Sequence, residues 1–145
     1  ALTTPEDAKD AFFRISSNID ILFLNMKLDS VNILDINSHE NIIKRLWDMG
    51  ISTVVLKSTE QKGYYTGYNG NINFTEFYTS DCLDTTCSGD AFNGGFMYAL
   101  THGFTEFEAT KFASIVAGLQ AKGIGAIKSI PYKDEVYSIY RGNNG

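Results

Sequence analysis

The chain has 145 residues, enough for one folding unit or part of a larger one, and its 43% hydrophobic and 20% charged residues exclude a disordered or low-complexity polymer. A formal charge of −5, from 12 Lys plus Arg against 17 Asp plus Glu, argues against a broad nucleic-acid or anionic-lipid footprint. A local anion site remains compatible with it. No apolar run approaches the ~20 residues of a membrane-spanning helix, and the first residues lack a basic region followed by an apolar one. Cys82 and Cys87 form neither a disulfide framework nor a zinc pattern. A soluble cytoplasmic protein with reduced thiols is expected.

Thr4 followed by Pro5, Glu6 and Asp7 combines an N-cap, a first-turn proline and acids matched to the helix dipole, which predicts a helix over 5–16. Ile19 to Leu24 is short, apolar on both faces and rich in strand formers. It reads as a buried parallel strand, with Asn25 at its carboxyl end. Asn37 and Glu40 have the spacing of a capping box for a helix over 38–49, which Gly50 stops, and 51–57 follows as a β-branched strand. Strand, helix, strand with short links predicts a right-handed parallel crossover. Asn69-Gly70, between Tyr64-Tyr65 and 72–78, predicts a tight β-hairpin on the same sheet.

Ser88 to Leu100 reads as a helix entered through a turn of small residues, and Thr105 with Glu108 caps another that runs to about Lys122. Asp134 to Tyr140 closes the pattern as a short amphipathic helix. The chain enters a helix at once without an initiator Met, and its strand and helix alternation runs almost to the end. A fragment of a larger domain is expected.

The stretch Asp84-Thr85-Thr86-Cys87-Ser88-Gly89-Asp90 carries the chemistry. Small residues entering a helix leave its first N–H groups without intrahelical partners, an arrangement suited to phosphate oxygens. Asp90 lies in the first helical turn, where the dipole favours the ionised carboxylate, so acceptor activation and charge stabilisation would share one turn. The bland alternative is an ordinary capped helix with two acids near its start. A third is a Cys87 thiolate nucleophile, although no Arg follows to make a phosphatase cradle. His102 reads as a helix-end residue, and Ala109, Ala113, Ala117 and Ala121 read as a close-packing stripe.

This stretch resembles the Asp-Thr-Thr-Gly-Ala-Gly-Asp signature of the ribokinase/PfkB family of carbohydrate kinases. The resemblance extends from the strand before Asn25, through 54–57 and Lys62-Gly63, to Gly125 through Pro131. It covers nearly the whole chain but only the carboxyl-terminal half of a family member. The implied fold is a partial, ribokinase-like three-layer α/β/α architecture with a mainly parallel sheet plus a hairpin, residues 1–145 forming the nucleotide-binding half. The lid and the sugar-contacting half would be absent. The resemblance implies an ATP-dependent sugar kinase using Mg2+, with K+ as a further ion.

The implied roles are Asp90 as catalytic base and Cys87, Ser88 and Gly89 as the anion hole. Lys57, Thr59, Ser114, Ala117 and Gly118 would lie at the nucleotide, and Asp84, Thr86, Gly123, Gly125 and Ser129 would hold a monovalent cation. The partners implied are a sugar and ATP. A second copy or a complementing amino-terminal segment is also expected to cover a truncated sheet. The alternative function is a non-catalytic nucleotide- or anion-binding module.

Three departures from the family pattern stand out. Cys87 replaces the first loop glycine, so either φ is negative there or the loop is strained. One extra residue lies between Lys57 and Gly63. The Asn-x-x-Glu motif is here Asn25-Met26-Lys27-Leu28, with Asp29 one position late.

Overall fold

In a computed structural model, which describes residues 4–79 and 81–143, the chain divides into two compact units, 1–74 and 75–145. The first is built on a sheet of order β1-β2-β3-β4, with β1 Ile21–Asn25, β2 Thr53–Ser58, β3 Gly63–Tyr68 and β4 Asn71–Glu76. β1 runs parallel to β2, as the crossover predicts, and β3 lies antiparallel to β2. Asn69 and Gly70, at φ 50° and 77°, supply the left-handed pair of the hairpin turn.

α1 Pro5–Ile15 starts on the expected signal: Thr4 Oγ1 accepts from the Asp7 amide at 3.1 Å and the Asp7 carboxylate accepts from the Thr4 amide at 3.1 Å. α3 His39–Asp48 corrects the second capping prediction, because Ser38 is its N-cap and makes no side-chain cap bond. With Ser38 at that position Glu40 falls at the second helical residue instead of the third, so the reciprocal Asn37–Glu40 pair cannot form. His39 is instead stacked on Tyr65 at 3.9 Å between ring centroids and 10° between planes. Ile42, Ile43 and Leu46 of this helix pack with Ile51, Val54 and Leu56 as the core of the first unit.

Between β1 and α3 lies a stretch without a sequence signal: a turn over Met26–Ser30 wound to the wide π spacing, followed by the short α2 Val31–Leu34. Asn25 organises its start. Its Oδ1 accepts from the Lys27 and Leu28 amides at 3.1 and 3.2 Å, while its own N–H donates to Asp29 Oδ2 at 2.7 Å.

The second unit holds α4 Ser88–Thr101, α5 Glu106–Ala121 and α6 Lys133–Asn143. Thr105 and Glu108 form the predicted capping box, and those hydrogen bonds hold the Glu108 carboxyl below its ordinary range. The alanine stripe is buried throughout. A Cβ at Gly95 would stand 2.9 Å from Val116 Cγ2, so the absent side chain is what lets α4 and α5 approach. His102 ends α4, its Nδ1 2.7 Å from the Tyr98 carbonyl. Phe104, Phe112, Tyr137 and Tyr140 interlock at the α5–α6 contact. Among the described residues no helix is long and apolar enough to cross a membrane.

Candidate functional site

Cys87 is the N-cap of α4 and adopts φ 61°, ψ 12°, the left-handed region. The loop therefore keeps a glycine-like corner with an L-residue in it, and the strained alternative of the sequence reading is the one observed. That geometry costs roughly 1 to 2 kcal/mol, while a glycine returns about 0.4–1 kcal/mol of that through the entropy of the unfolded chain. Cys87→Gly is accordingly expected to stabilise the protein by up to about 1.5 kcal/mol in urea unfolding. A destabilised glycine variant would mean that the exposed thiol holds the corner through contacts of its own.

The corner sets the amides. Ser88 N–H donates to the Thr85 carbonyl at 3.1 Å, so the Ser88 amide, expected in the anion hole, is spent inside the turn. Cys87, Gly89 and Asp90 have no main-chain acceptor for their N–H groups among the described residues, whereas Ala91 N–H already bonds back to the Cys87 carbonyl at 2.9 Å. The Asp90 amide is the member that sequence reasoning missed; its place in the first turn was the available signal. The Asp90 residue itself is exposed, as are Cys87 and Gly89, and Ser88 is buried.

Behind the corner, Asp84 Oδ1 accepts from the Thr86 amide at 2.9 Å and Oδ2 from the Gly125 amide at 3.1 Å. The Thr86 side chain and these two amides hold its carboxyl below the ordinary range. Gly125 sits at φ 91°, and a Cβ at Gly123 would collide with the Ser129 Cβ. Ser129 Oγ donates to the Gly125 carbonyl at 2.6 Å. Asp84, Thr86, Gly123, Gly125 and Ser129 are thus gathered into one cluster. At its centre lies a residue the sequence reading did not select, the fully buried Gln120. Its signal was a long polar side chain at the apolar carboxyl-terminal end of α5, beside the alanine stripe.

Ser114 is buried, and its hydroxyl is committed on both sides: it accepts from the Tyr78 amide at 2.9 Å and donates to the Glu76 carbonyl at 3.0 Å. Ala117 is buried beside it in sequence, and a Cβ at Gly118 would meet Tyr78 Cδ1 at 2.9 Å. Ser114 and Gly118 of α5 therefore pack against the 76–79 segment. In the first unit Lys57 is half-buried near the end of β2, and Thr59 lines a cleft of about 280 Å³ with Met26, Lys27, Asn37, Ser58 and Glu60. Lys27 and Glu60 bridge at 3.3 Å on that rim. Among the described residues no three His, Cys, Asp or Glu converge to hold a metal.

A model of pfkB family carbohydrate kinases matches residues 2–133. The chain belongs to that family. A ribokinase of Haemophilus influenzae is 30% identical over 135 residues, covering 90% of this chain and 44% of the relative. The ribokinase of Thermotoga maritima superposes with a TM-score of 0.79 at 26% identity, over 89% of this chain and 44% of that one. A ribokinase-II-like protein of E. coli, solved in complex with ATP and Mg2+, gives a TM-score of 0.81 at 19% identity over 95% of this chain and 44% of that one. The fold is ribokinase-like, as the resemblance implied, and the chain spans about 44% of the length of the curated relative.

Proposed function

We propose that residues 1–145 form the nucleotide-binding and catalytic-base half of an ATP-dependent kinase acting on a sugar hydroxyl, the lid and the main sugar contacts belonging to a part of the kinase outside this sequence. The observation that carries the reading is the left-handed Cys87 corner. It presents an exposed Asp90 beside the Cys87, Gly89 and Asp90 amides at the start of α4.

In this reading those amides and the α4 dipole hold the γ-phosphoryl oxygens, and the chain's overall charge of −5 makes such fixed dipoles the local source of positive potential. One Asp90 oxygen takes the proton of the sugar hydroxyl as the sugar oxygen bonds to phosphorus and ADP leaves. Mg2+, when bound, would neutralise charge on the phosphates. An ion carried mainly on phosphate oxygens and water suits a chain whose described acids do not converge. Lys57 and Thr59, and the α5 face of Ser114, Ala117 and Gly118, are the positions we assign to the nucleotide. Ser114 would act there by fixing the 76–79 main chain, since its hydroxyl is already used. Reduced Cys82 and Cys87 in a cytoplasmic setting complete the proposal.

The 44% span of the curated relative favours one second reading, a module that binds nucleotide without turnover. Titration calorimetry of the chain with Mg2+-ATP, followed by a coupled ADP-release assay, with ribose and fructose 6-phosphate, of a kinase that includes the sugar-contacting half, separates the two. ATP binding with ADP release that requires sugar supports the kinase, and binding without turnover supports the module. Absence of ATP binding overturns both.

A further inference from the structure

Three of the five positions that the family resemblance assigns to a monovalent cation, Thr86, Gly125 and Ser129, already share a partner in Gln120. Gln120 Nε2 donates to the Thr86 carbonyl at 2.8 Å and lies 3.3 Å from the Gly125 carbonyl and 3.4 Å from Ser129 Oγ. These acceptors come from two different segments, the loop before α4 and the loop after α5, and the Gln120 side chain reaches all of them from α5. A bare cation and an N–H donor cannot share that position, because both place positive charge against the same lone pairs. The residues present therefore do not fit the ion.

The other end of the same carboxamide sharpens the point. Gln120 Oε1 is buried with no hydrogen-bond partner among the described residues, an arrangement that is costly in a protein interior. Turning the amide over would set Oε1 against two carbonyl oxygens, acceptor against acceptor. The donor end is the one the oxygen cluster requires, and the acceptor end is left unsatisfied to provide it.

We propose that Gln120 is a built-in substitute for the monovalent cation. Its amide ties Thr86 to the 125–129 loop, and the corner before α4 is set without K+. The inference concerns how the loop is held and is independent of whether the chain transfers phosphate, so its readout is stability.

Thermal unfolding of the 145-residue chain in potassium chloride and in tetramethylammonium chloride at equal ionic strength tests it. The unsubstituted chain is expected to melt at the same temperature in both. Gln120→Ala opens the oxygen cluster; it is expected to melt lower in tetramethylammonium and to recover selectively in K+, by on the order of 5 °C when K+ reaches about 100 times its dissociation constant. Should Gln120→Ala fail to fold, Gln120→Glu keeps the shape but sets a carboxylate among the carbonyls, and K+-selective stabilisation is expected again. A K+-selective rise in the unsubstituted chain would overturn the proposal, with the amide then turned to ligate through Oε1. So would variants that respond alike to both salts, which would make Gln120 a packing residue only.

Discussion

Asp90→Asn is expected to lower sugar-dependent phosphoryl transfer by about 10²- to 10⁴-fold in a kinase that includes the sugar-contacting half, the range set by loss of a positioned base. The substitution keeps the shape of the side chain and its place on the exposed first turn of α4. It removes a charge that the helix dipole favours, so folding should weaken by only about 0.3–1 kcal/mol. ATP affinity should persist, because the amides of the corner are main-chain groups that the substitution leaves in place. The decisive measurement is kcat beside the unfolding midpoint for the same preparation. A near-normal kcat would remove Asp90 from the chemistry, and a parallel collapse of both quantities would make it a structural cap.

The largest effect on stability is expected at Phe96, one and a half turns further along the same helix. Its side chain is fully buried and packs against Phe92 at 6.2 Å between ring centroids. Phe96→Ala removes that volume from a fully buried position and takes away the ring that meets Phe92. A loss of about 3–5 kcal/mol is expected from the missing transfer energy and the cavity together. That is a large share of the total stability of a domain this size. Urea unfolding of the two variants side by side separates chemistry from scaffold. A loss under about 1 kcal/mol for Phe96→Ala would show that the surrounding core repacks to fill the space.

The parts of the fold legible in the sequence are those written in local chemistry. Thr4 with Asp7 and Thr105 with Glu108 announce their helices because a cap needs only residues three apart. Asn69-Gly70 announces the hairpin because the turn geometry excludes most other pairs. Asn37 with Glu40 carries the same signal, yet the helix begins one residue later, where His39 finds the Tyr65 ring across the unit. A tertiary contact outweighs a local preference there. The site divides along the same line. Asp90 and the small-residue corner could be read from spacing, whereas the sign of φ at Cys87 could only be posed as two alternatives. Gln120 stayed hidden because its partners stand 34 residues before it at Thr86 and up to 9 after it at Ser129, and nothing within one turn of α5 points to them.

The wide turn after β1 has a consequence for where an acid can stand beside a strand end. A π-wound ring closes over one more residue than an α-wound one, so the late acid at Asp29 still brings its carboxylate to the Asn25 amide. The turn over Met26–Ser30 is wound loosely, while β1 keeps its register from Ile21 against Thr53 to Asn25 against Lys57. An acid one position late thus meets the end of β1 with the pairing of the strands intact.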